Sequence, residues 1–108
     1  MMKSMEVTYQ KLLKRATWSR CRLCGRRPKL GTTGHHLIPR TCHRRKWFRR
    51  HFSRERLRQT IDVCRDCHRA IHQLIPDEKE LGRRYNTLDQ LAAHPRMQRF
   101  LVWVKKQK

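Results

Sequence analysis

The chain has 108 residues, enough for one domain with a modest core, and a chain this small often needs an added staple such as a metal. Its 28 Lys and Arg against 8 Asp and Glu give a formal charge of +20, a surplus that repels itself unless a polyanion or salt neutralises it. Nucleic acid is therefore the expected partner, with a merely sticky basic protein or a membrane-surface binder as weaker alternatives. No apolar run approaches membrane-spanning length, and Lys3, Glu6, Lys11, Lys14 and Arg15 interrupt any signal-peptide core before Arg20. A cytoplasmic setting is expected, in which the thiols stay reduced.

In chain order, Met5 to Arg15 has weak helical character through Val7, Leu12 and Leu13. Cys21-Arg22-Leu23-Cys24, followed by Gly25, reads as a tight knuckle. Gly31-Thr32-Thr33-Gly34 reads as a turn feeding a short strand, His35 to Ile38, which Pro39 ends. The stretch to Arg58 is expected to be a charged loop or irregular helix. There Arg40, Arg44, Arg45, Lys46, Arg49 and Arg50 can grip phosphates while Trp47, Phe48 and Phe52 anchor the segment to the core.

Thr60-Ile61-Asp62-Val63 alternates as a second strand, and pairing with the first would bring Cys24 and Cys64 together. A helix is expected from Arg65 to about Ile75, stopped by Pro76. On it Cys67, Ile71, Leu74 and Ile75 face inward, while His68 and His72, four apart, share a neighbouring face. Farther on, Thr87 and Gln90 have capping-box spacing, and Pro95 suits the first turn of a last helix whose apolar residues are Phe100, Leu101, Trp103 and Val104.

The two knuckles, Cys21 with Cys24 and Cys64 with Cys67, have the spacing of a structural zinc site, because each CxxC turn delivers two thiolates to a tetrahedral ion without strain. A redox role fits less well, since no thioredoxin-like strand and helix surround either pair. Cys42 stands apart and reads as a small packing residue. Two histidines at i and i+4 on a helix can converge on one ion, so His68 and His72 are a candidate ligand pair.

His35-His36-Leu37-Ile38-Pro39, followed by Ile61 to His72 with its CxxCHxxxH run, resembles the zinc-knuckle type of HNH endonuclease. The likeness covers Cys21 to His72, about half the chain. It implies an α+β fold: a small ββα-metal core, about 21–75, stapled by the four-cysteine zinc site and followed by a helical extension, about 77–106, within a single domain spanning 1–108. It also implies that His35, His68 and His72 bind a catalytic divalent ion (Mg²⁺, Mn²⁺, Ni²⁺ or Zn²⁺) and that His36 is the general base. Adjacent residues of a strand point to opposite faces, which agrees with separate roles for His35 and His36. The family places an Asn five residues before the second knuckle to orient the base. Here Gln59 stands there, so Gln59 or His43 is expected to take that task.

The function implied is metal-dependent hydrolysis of DNA phosphodiesters. A non-catalytic zinc module that binds nucleic acid is the alternative, and a basic interaction protein of a phage or repair assembly is a third. Only the histidine set separates the first from the others. Oligomeric state is not legible.

Overall fold

The structure is a computed structural model that describes residues 20–107, so the N-terminal helix expected over Met5 to Arg15 lies outside the described residues. It is α+β. Strand β1 (Thr33–His36) pairs antiparallel with β2 (Thr60–Val63), with Thr33 opposite Val63 and His36 opposite Thr60. Between them lie a 3₁₀ turn (Arg40–Cys42) and two short helices, α1 (Lys46–His51) and α2 (Arg54–Arg58). Four helices follow: α3 (Arg65–Leu74), α4 (Glu78–Arg84), α5 (Leu88–Ala93) and α6 (Pro95–Val104).

Strand β1 begins two residues earlier than expected and ends at His36. The turn that feeds it is Pro28 to Gly31, closed by the Gly31 amide on the Pro28 carbonyl at 3.2 Å, with Gly31 at φ 79°. At the other end the Leu37 amide still donates to the Gln59 carbonyl. There the partner strand runs out into α2, and Leu37 and Ile38, ahead of Pro39, lie in a bend. Leu37 and Ile38 therefore drop into the core instead of prolonging the ladder.

The core has two parts. The larger gathers Leu37, Val63, Ile71, Leu81, Leu91, Met97 and Val104 around the four knuckle cysteines. The smaller, Ile38, Cys42, Phe48 and Leu57 with Trp47 and Phe52 against it, folds the basic segment into a mini-core, and Cys42 packs there as expected. The two parts meet at Gly82 of α4, where an added Cβ would stand 2.7 Å from the Phe48 ring. Buried Asn86 adds a polar tie: its Oδ1 accepts from Arg56 of α2, and its Nδ2 donates to the Gly82 carbonyl, both at 2.9 Å.

Thr87 caps α5 by accepting from the Gln90 amide, but the Gln90 side chain bonds the Asn86 amide, one residue before the cap. Pro95 opens α6 as expected, with His94 as its cap. The buried stripe of α6 is Met97, Leu101 and Val104, at i, i+4 and i+7. Trp103, named among the apolar residues of this helix, falls off that stripe and is 57% exposed. No helix among the described residues is long and apolar enough to cross a membrane.

Candidate functional site

The first knuckle is a turn with Gly25 at φ 76°, where its amide bonds the Cys21 carbonyl and the Cys21 amide bonds the Arg26 carbonyl. Positive φ is the glycine-favoured region, which explains Gly25 directly after Cys24. The second knuckle ends β2 and starts α3, so Cys64 caps the helix by accepting from the Cys67 amide at 3.4 Å. The Arg22 amide donates to the Asp62 carbonyl at 2.9 Å and fastens one knuckle to the strand that carries the other.

As a result Cys21, Cys24, Cys64 and Cys67 are all buried, with sulfur atoms within 4.8 Å of one another. Hydrogen bonds from Cys21 and Cys67 hold the Cys64 thiol far below the ordinary cysteine range. The bond to Cys64 pushes Cys21 up, and bonds to Cys21 and then Cys64 push Cys67 up. Four clustered sulfurs cannot all ionise without a cation among them, and a four-thiolate donor set is the one zinc takes in structural sites. Arg26 lies against the cluster, donating to the Cys24 and Cys64 sulfurs at 3.4 and 3.6 Å, and would offset part of the charge of four thiolates.

The second group is His35, His68 and His72, whose donor nitrogens can also lie within 4.8 Å of one another. His35 comes from β1 and the other two from adjacent turns of α3, with ring centroids 5.1 to 5.5 Å apart. His35 is 1% exposed, and neither of its ring nitrogens has a hydrogen-bond partner among the described residues. A buried polar side chain left so is rare and costs stability of the order of 1–3 kcal/mol, unless something outside the protein atoms satisfies it. Burial, then the neighbouring His68 and His72, lower its pKa to about 3, so it presents neutral imidazole, the form that binds metals.

His68, also shifted down chiefly by burial, is aimed by Thr33, whose Oγ1 lies 2.7 Å from its Nδ1. The Thr33 hydroxyl faces the Val63 carbonyl at 3.4 Å. With its proton given to that carbonyl, its oxygen accepts from Nδ1–H and leaves the His68 Nε2 lone pair free. Sequence reading missed Thr33. The signal was there, since Thr33 is two residues before His35 on one strand and so shares its face.

His36, one residue on, is half-buried and also lies below the ordinary imidazole range, first by burial and then by His43 and Arg40. The His43 ring is 6.0 Å away, held by an Nε2–H bond to the Ile38 carbonyl at 2.8 Å. Gln59 is exposed, and its amide oxygen accepts from Arg56. Of the two residues expected to orient His36, His43 is thus the one beside it. Arg40, Arg44, Arg45, Lys46, Arg49 and Arg50 are all exposed, spread from the 3₁₀ turn through α1.

Fold and clusters together define a small, strongly basic α+β protein with four cysteines that can hold a structural metal such as zinc. Over 87 residues, 81% of this chain and 74% of the other, it is 32% identical to the uncharacterized protein YisB of Bacillus subtilis (strain 168). The chain belongs to the family that includes YisB. No family model and no solved structure matches it.

Proposed function

We propose that this chain is a metal-dependent DNA endonuclease of the HNH type, in which His35, His68 and His72 hold one divalent ion and His36 takes the proton of the attacking water. The observation that carries this is His35, buried without a partner for either nitrogen among the described residues and flanked by two more imidazoles. A module that only binds nucleic acid would need the basic surface and the thiol cluster, but not three converging imidazoles beside a fourth.

Three imidazole donors suit Zn²⁺, Ni²⁺ or Mn²⁺ better than Mg²⁺, which prefers oxygen. Bound there, the ion would supply Lewis-acid stabilisation of the charge that grows on the phosphate and leaving oxygen. His36, kept neutral by its surroundings, is ready to accept a proton at neutral pH. His43 stands beside it, anchored by the Ile38 carbonyl. Exposed arginines of the 3₁₀ turn and α1 would hold the DNA backbone, and the products would be a 5′ phosphate and a 3′ hydroxyl.

Incubating the zinc-loaded protein with supercoiled plasmid and, in turn, Ni²⁺, Mn²⁺, Zn²⁺ and Mg²⁺ tests the proposal. Nicked or linear product that depends on the added ion is expected. Protein that binds the plasmid yet leaves it intact with every ion would overturn the assignment.

A further inference from the structure

Helix α3 carries Arg65, His68, Arg69 and His72 at i, i+3, i+4 and i+7. At about 100° per residue they share an arc of roughly 100°, opposite the buried Cys67, Ala70 and Ile71. The same four line one open pocket with Thr33, about 480 Å³ in volume. Arg65 and Arg69 also line a second pocket, of about 640 Å³, on their other side, where Arg27, Lys29 and the exposed Leu30 join them. The two pockets meet across the arginines.

The carboxylate in this region, Asp66, is paired with Arg26 at 3.4 Å. The side chains of Arg65 and Arg69 make no hydrogen bond or ion pair with a described residue. Two uncompensated guanidinium groups thus flank a three-imidazole cluster that brings no negative charge of its own. A divalent ion held there would keep its full charge, and the complementary ligand is one with an anionic group at each step, as in a phosphodiester chain.

We propose that Arg65 and Arg69 are positioning residues that clamp backbone phosphates of the DNA beside the histidine centre, and that the same strand continues over Arg27 and Lys29 with Leu30 beneath it. This deepens the endonuclease reading and rests on it for the identity of the substrate. It places DNA on the outer face of α3, in addition to the basic segment between the strands.

The test is duplex oligonucleotide binding, followed by fluorescence anisotropy over a salt series, with zinc-loaded protein and no further ion added. Arg65→Gln combined with Arg69→Gln should weaken binding by about 10-fold or more at low salt. It should also reduce the log–log salt slope by about 1.8, or about 0.9 for each lost contact. The double lysine variant should recover the slope. A charge-matched control, Lys105→Gln with Lys106→Gln at the end of α6, should stay near wild type. In cleavage the double glutamine variant should raise KM with little change in kcat, as expected when ground-state and transition-state binding are lost together. Affinity and slope equal to wild type, or a loss no larger than that of the control, would overturn the clamp. Wild type that cuts DNA while the variant keeps its slope and KM sinks the clamp and leaves the endonuclease standing. The variant's loss of slope in a protein that never cuts leaves the clamp and removes the endonuclease.

Discussion

Thr33 Oγ1 lies 2.7 Å from His68 Nδ1, so a strand hydroxyl fixes the ring of a helix histidine. Thr33→Val keeps the shape and strand preference of the residue but removes the hydroxyl. We expect it to weaken divalent-ion binding at the histidine centre by about 10-fold to 100-fold, the usual effect of losing an outer partner of a ligand, with zinc retained at the thiols. Thr33→Ser should recover the affinity. Metal titration by calorimetry would check this, and an unchanged affinity would detach Thr33 from the site.

Cys64 is at once a thiol ligand candidate, the cap of α3 and the residue that directly follows β2. Cys64→Ser should therefore lose both zinc and most ordered structure, since structural zinc supplies roughly 10 kcal/mol or more of apparent folding free energy in small domains. Zinc per chain and circular dichroism would report it. A folded variant free of zinc would show that the thiol cluster is held by packing alone.

For His36 the expected effect is confined to chemistry. His36→Ala should lower cleavage by about 100-fold to 10,000-fold while DNA binding and both metal affinities stay close to wild type. Because its folded pKa lies below the ordinary 6.5, the neutral base persists to lower pH, and the acid limb of kcat should fall below that value. A limb at or above 6.5 would assign the titration to another group.

Burial of His35 makes stability depend on pH in a definite direction. The unfolded chain takes up its proton near 6.5 and the folded chain only near 3, so between these values the unfolded state binds more protons and stability falls as pH falls. With zinc at the thiols and the histidines metal-free, His35→Leu should flatten the loss between about pH 6.5 and 5.5, the upper part of that range. Denaturant midpoints across the window would show it; thiolate protonation is common to both proteins and cancels. Parallel curves would mean that His35 is not held neutral.

Each CxxC knuckle and the His68–His72 pair were legible because their geometry is local: a CxxC turn brings its sulfurs together by itself, and i, i+4 residues meet on any helix, whereas the place of His35 beside that pair came only from the HNH resemblance. The pairing of Thr60 to Val63 with the preceding strand was legible for the same reason, through alternation. What spacing did not convey was tertiary. Whether Leu37 and Ile38 extend the ladder depends on where the partner strand gives way to α2. An apolar residue on a short helix does not declare whether it lies on the stripe that meets the core: Trp103 does not, and Met97, which does, went unnoticed. Arg65 and Arg69 were hidden by the chain-wide excess of arginine, and only the pockets on either side of α3 set them apart from it.

Cys67 and His68 are neighbours on α3, yet one points into the thiol cluster and the other into the histidine group. Dependence between the two centres then runs one way. A chelator or oxidant that strips the thiols removes the anchor of the first turn of α3, and His68 and His72 lose their common bearing with it. A change confined to the histidine group would leave the knuckles in place, because the thiol cluster takes no residue from that group. The arrangement of the histidines would thus be subordinate to the chemical state of four buried sulfurs.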